Sequence, residues 1–108
     1  MSATFTNPLL AGFSINFILR SSFKLKSGEN PIVLKLSYLG ERKEINTGLS
    51  VPTEHWVSGT GLVDHRYKAG KSINQQLYII RQNVETTFLR MKEGLGDFRL
   101  SELVERMK

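Results

Sequence analysis

Catalysis needs a nucleophile, a base or a metal-ligand set at usable spacing, and the chain offers few residues of these types. There are no cysteines, so thiolate chemistry, disulfide frameworks and cysteine-based zinc sites are excluded. His55 and His65 stand ten residues apart, without the helical i, i+4 spacing of a zinc-protease pair, and read as surface or packing residues. Gly59-Thr60-Gly61 is too short for a phosphate-binding glycine fingerprint and reads as a turn. Glu102 and Glu105 share one side of a short helical segment but lack an apolar cleft to raise a pKa. No cofactor or metal requirement follows, and a non-catalytic chain is expected.

The residues left with chemical capacity are hydrogen-bond donors and cations. Arg20, Lys35, Arg42 and Lys43 have the charge and geometry for phosphates or guanine edges. Asn16, Ser37 and Asn46 carry the donor and acceptor groups for base or backbone contacts. The formal net charge is +5, and its distribution is uneven. Phe13 to Ser50 carries six Lys/Arg against three Glu, and Lys71 to Gly94 four against two, while the remaining stretches balance. Charge alone is equally compatible with a basic solvated surface. The polar helix residues Lys71, Arg81, Arg90 and Lys92 read as a solvated face, Lys92 also suiting the C-terminal end of the macrodipole.

These residues must be positioned by strands. From Phe13 the chain alternates, with Phe13, Ile15, Phe17 and Leu19 on one face and Ser14, Asn16, Ile18 and Arg20 on the other, the period of a half-buried strand continuing toward Lys26. Ser27-Gly28-Glu29-Asn30-Pro31 is a turn-rich break, and Ile32 to Tyr38 forms the second strand. A two-residue hairpin loop at Leu39-Gly40 pairs Tyr38 with Glu41, Ser37 with Arg42, Lys35 with Glu44, Leu34 with Ile45 and Val33 with Asn46. Ile32, Leu34, Leu36, Tyr38 and Ile45 then share an apolar face, and Lys35, Ser37, Arg42, Glu44 and Asn46 the polar one. This register puts Lys43 on the apolar side, from which its side chain must reach past the helix edge into solvent.

Thr47-Gly48 is expected to end the third strand. The long connection from Val51 to Gly70, with Trp56 and Leu62-Val63 as anchors, should be divided by a helical turn at Thr53-Glu54-His55 or a brief strand at Leu62-Val63. Ser72 and Gln75 have capping-box spacing, and Ile73, Leu77, Ile80, Val84, Phe88 and Met91 recur at helical intervals, which predicts a helix ending near Gly94. Ser101 to Arg106 suits a short second helix. The fold class is therefore α+β, a three-stranded antiparallel sheet packed against a long amphipathic helix, followed by a short one. At 108 residues this is one domain. We divide it into a tail over 1–12, a body over 13–94, and a short helix or linker over 95–108. No run approaches 18 apolar residues and Met1 to Gly12 lacks a charged start, so an unexported cytoplasmic chain is expected.

The order of residues also carries a resemblance. Asn30-Pro31-Ile32 opens strand two, Gly40-Glu41-Arg42-Lys43-Glu44-Ile45 forms the hairpin, and Thr47-Gly48-Leu49-Ser50-Val51-Pro52 precedes Trp56. From Phe13 onward the chain resembles the N-terminal arm-type DNA-binding domain of tyrosine recombinases, especially integrases of bacterial conjugative transposons and prophages. It departs from the family at Leu39, where an Asn commonly precedes the hairpin Gly. The resemblance implies a sheet that enters the major groove of double-stranded DNA at arm-type sites, helping to assemble the recombination complex and to bias integration against excision. It implies DNA-facing roles for Arg20, Lys35, Arg42, Lys43 and Asn46, and core-binding and catalytic domains following Lys108. The family's nucleophilic Tyr pocket is not in this segment, and Tyr38, Tyr67 and Tyr78 read as packing or surface residues. A different class of reading is a protein-interaction module contacting a recombinase subunit or accessory factor, which salt dependence separates from DNA binding.

Overall fold

The alternation that begins at Phe13 builds the first of three long strands. The structure is a computed structural model that describes residues 10–107. Strands β1 (Phe13–Leu19), β2 (Asn30–Tyr38) and β3 (Glu41–Val51) form one antiparallel sheet in the order β1-β2-β3. The β2–β3 register matches the expected one at every pair, from Tyr38 with Glu41 to Val33 with Asn46. Leu39 and Gly40 both have positive φ, 49° and 82°, the signature of a two-residue turn whose twist suits the flanking strands. Most of the expected tail, residues 1–9, lies outside the described residues, and Leu10 packs against the core.

β1 ends at Leu19 rather than continuing toward Lys26, and the reason is Pro31. Arg20 N donates to Pro31 O at 2.9 Å, but Pro31 has no N–H to return. Asn30 supplies the missing donor from its side chain. Its Nδ2 donates to Arg20 O, Ser21 O and Phe23 O at 3.2, 3.3 and 2.8 Å, and its Oδ1 accepts from Thr53 Oγ1 at 2.6 Å. The amide is wholly buried, so these bonds curl the chain out of the sheet and fix the loop that follows. Asn30 and Pro31 therefore belong to β2, not to the preceding break.

β3 likewise passes Thr47-Gly48 and runs to Val51. Pro31 pairs with Ser50 and Val33 with Asn46, so three residues of β3 lie opposite Ile32 alone. Local side chains satisfy this irregularity: Thr47 Oγ1 donates to Ile32 O at 2.7 Å, and Gly48 N, at φ 80°, donates to Asn46 Oδ1 at 3.0 Å.

Both expected divisions of the connection are present, a single 3-10 turn over Thr53–His55 and a two-stranded hairpin of β4 (Trp56–Val57) and β5 (Leu62–Val63). Helix α1 (Gly70–Leu95) starts ahead of the expected capping box, with no side-chain cap. Ser72 lies inside the first turn and accepts from Gln76. Gly70 makes the earlier start possible, because a Cβ there would sit 2.2 Å from Asp64 O. The helix closes at Leu95, with Gly96 rather than Gly94 in the left-handed region at φ 73°.

Helix α2 (Leu100–Met107) is anchored in the same core, since Leu100 and Leu103 are wholly buried and Leu100 N donates to Glu41 Oε1 at 2.8 Å. Ile15, Phe17, Leu34, Leu36 and Tyr38 meet Leu77, Val84, Phe88 and Met91 across the layer. Phe13 stacks on Phe88 at 4.0 Å, and Tyr38 meets Phe88 edge-on at 4.9 Å. The helices thus cover one face of the sheet and leave the other open.

Candidate nucleic-acid interface

Because side chains alternate along each strand, pairing sorts the open face into rows. Ser14, Ser37 and Arg42 form one row, Asn16, Lys35 and Glu44 the next, and Ile18, Val33 and Asn46 the third. Neighbouring strands are about 4.8 Å apart, so three strands place their outer members about 10 Å apart, within a B-DNA major groove about 12 Å wide. Asn16, Lys35, Ser37 and Arg42 adjoin at the centre of this grid, and none of their side chains makes a hydrogen bond or ion pair among the described residues. They line one open cleft of about 990 Å³ together with Ser14.

The other three sequence candidates are placed differently. Arg20 follows the end of β1, and its Nη2 donates to Glu44 Oε1 at 2.7 Å, a half-exposed ion pair. Lys43 pairs with Leu36 on the helix-facing side of β3, as the register predicts, and its side chain is exposed on the edge strand. Asn46 stands in the far row with its carbonyl oxygen already accepting from Gly48 N. A second cleft, of about 360 Å³, lies at this end, bordered by Arg20, Phe23, Pro31, Glu44 and Asn46 over the buried Val33.

The larger cleft continues past the edge of β1 to residues that sequence reasoning did not select. Ser58, Thr60 and the glycines of the β4–β5 turn line it, as do Tyr78 and Arg81 of α1. Arg81 is no solvated helix residue. Its Nη2 donates to Ile15 O at 3.0 Å and its guanidinium lies 5.9 Å from the Phe17 ring centroid. A Cβ on Gly61 would lie 3.4 Å from Phe17 O, so the turn rests directly on the outer edge of β1. Between them, Arg81 and Gly61 occupy the strand edge that another chain would otherwise pair with. No local signal marks these residues, since Arg81 and Ile15 are 66 positions apart.

The remaining chemistry-bearing groups have structural partners. His55 stacks on Tyr67 at 4.1 Å, and the exposed His65 lies beside Asp64. No group of three or more His, Cys, Asp or Glu among the described residues is placed to hold a metal ion. Tyr38 OH donates to Asp97 Oδ1 and accepts from Lys92 Nζ, which also donates to Asp97. Asp97, bonded first to Lys92 and then to Tyr38, is held below its ordinary carboxylate pKa, and Lys92 is raised above its own by the same contacts. This cluster ties β2 to the α1–α2 junction, and its Tyr38 and Asp97 account for Lys92 without any ligand. Among the described residues no helix is long and apolar enough to cross a membrane.

A protein-family model described as an Arm DNA-binding domain matches residues 17–100, from the middle of β1 through the start of α2. Comparison with curated proteins and with solved structures returns no match. The family match takes in the end of β1, all of β2 and β3, the β4–β5 hairpin and the whole of α1, so the chain belongs to the Arm DNA-binding domain family and is a DNA-binding rather than a catalytic domain.

Proposed function

We propose that the open face of the sheet enters the major groove of double-stranded DNA at arm-type sites, with Arg42 and Asn16 reading base edges. Lys35, Ser37 and Arg20 assist them, and Lys43 and Asn46 make peripheral backbone contacts. The observation that carries this reading is the absence of any internal partner for Asn16, Lys35, Ser37 and Arg42, which adjoin on one face among the described residues. An arginine held on a strand presents its fork to guanine O6 and N7, and an asparagine its amide to adenine N6 and N7.

In this proposal the chain is the N-terminal domain of a tyrosine-type DNA recombinase, an integrase of a mobile element acting in the bacterial cytoplasm. It forms the arm-binding body over 13–94 and leads through 95–108 toward core-binding and catalytic domains. It would hold arm sites while those domains act elsewhere on the same DNA, helping to assemble the complex and bias its direction. Tethering to further DNA-binding domains raises effective concentration, so the arm domain need not bind tightly alone.

The test is fluorescence anisotropy with a duplex from the element's ends and a scrambled duplex, each at two salt concentrations. Phosphate contacts make binding fall steeply with salt, whereas an apolar contact to a protein partner does not behave so. Arg42→Ala should cost about 1–3 kcal/mol on the cognate duplex and narrow its preference over the scrambled one. Lys43→Ala should cost less, and equally on both. An unchanged cognate affinity for Arg42→Ala would remove Arg42 as a base reader.

A further inference from the structure

We infer that the large cleft on the β1 flank seats one sugar–phosphate strand of the bound duplex, with the β4–β5 turn and the exposed side of α1 as its outer wall. The inference rests on the major-groove reading above and adds a second contact surface to it. Three observations carry it. The cleft is continuous with the open face, running from Arg42 and Lys35 over Ser14 and Asn16 to Ser58 and Tyr78. Its charge has one sign: Lys35, Arg42 and Arg81 line it, and none of the described Asp or Glu side chains does. Its outer wall is held in place, because Asn74 Nδ2 donates to Val63 O and its Oδ1 accepts from Val63 N, both at 2.8 Å, clamping β5 to α1.

The chemistry of this wall suits a phosphate chain better than a base edge. Gly59, at φ 80°, has nothing within 4 Å of where a Cβ would stand, so the turn backbone is open to close approach. The Ser58 side chain and the Tyr78 ring, the latter 62% exposed, have no hydrogen-bond partner among the described residues. A ribbon lying in the major groove has a phosphate strand along each side, and hydroxyls and backbone N–H groups are common phosphate donors. A wall raised beside the outer strand therefore meets one of those two strands. The opposite side of the face lacks an equivalent wall of this charge, since Glu44 stands there beside Arg20.

The experiment places a negative charge at each of two exposed wall positions, Ser58→Glu and Tyr78→Glu, in the full chain, with circular dichroism to check the fold. Affinity is read by anisotropy for cognate and scrambled duplexes, alongside Arg42→Ala. Each wall variant should weaken binding about fivefold or more on both duplexes alike, because a phosphate contact carries no base preference. Native affinity for either duplex retained by both variants, with Arg42→Ala still weakened, overturns this inference and leaves the groove reading standing. Loss on the wall variants with Arg42→Ala inert supports the cleft contact and removes Arg42 as a base reader. No binding to any duplex overturns both.

Discussion

The two flanks of the open sheet face differ in how their charges are partnered. On the hairpin-side flank the Arg42 side chain, and next to it that of Lys35, make no hydrogen bond or ion pair among the described residues, and the cleft they line contains no carboxylate. At the end nearer the Arg20 loop, the arginine is bound to Glu44 and the cleft includes that carboxylate in its rim. Read along the chain, each flank carries Lys or Arg. Pairing across the sheet makes them different: Glu44 is brought beside Lys35 by register and beside Arg20 by the turn that Asn30 forces. On the proposed reading, a surplus of positive charge is available to DNA only where the fold leaves it without a counter-ion.

Removing the residue that shapes the Arg20 flank should have the greatest effect. Asn30→Ala leaves three backbone carbonyls and the Thr53 hydroxyl without their buried partner. It should lower stability by about 2–4 kcal/mol in chemical denaturation. A loss under about 1 kcal/mol would mean that the loop is held by other contacts. Arg42→Ala acts on the other flank, with its cost of about 1–3 kcal/mol in binding and little in stability. Leu39→Asn tests the turn that sets the register dividing the flanks. Among the described residues Leu39 is the non-glycine residue with positive φ, a conformation that Asn tolerates better. The change should stabilise the chain by about 0.5–1 kcal/mol, read as a higher denaturation midpoint, and leave DNA affinity unchanged. The smallest effect is expected of Glu44→Gln, which frees Arg20 and removes a negative charge facing the DNA. With the open face on DNA as proposed, it should tighten binding about two- to threefold at low salt, and the gain should shrink as salt is raised. Weaker binding would show that the Arg20–Glu44 pair itself positions a contact.

How much of this was legible along the chain depended on the range of the interaction. The hairpin register followed from Leu39-Gly40 and a period of two, and it carried Lys35, Ser37 and Arg42 to the open face and Lys43 to the other. The helical apolar spacing from Ile73 to Met91 located α1, because that stripe is local. The end of β1 was not legible. Asn30 reaches carbonyls up to ten residues back, and only the missing N–H of Pro31 hints that a side chain must substitute. The start of α1 was misplaced because Ser72 and Gln75 have capping-box spacing, whereas the close approach of Gly70 to Asp64 O decides the boundary. Arg81 and the β4–β5 turn were invisible as a site, since their relation to β1 exists only once α1 has packed on the sheet.

A chemical-shift titration of the isotopically labelled chain with duplex DNA from the ends of the proposed mobile element, at low and high salt, would decide whether the open face meets DNA. Salt-sensitive shifts are expected at Asn16, Lys35, Ser37 and Arg42, extending across the β1 edge to Ser58–Gly61 and Tyr78. Shifts confined to the exposed residues of α2 and the last turn of α1, or shifts indifferent to salt, would contradict the open-face reading.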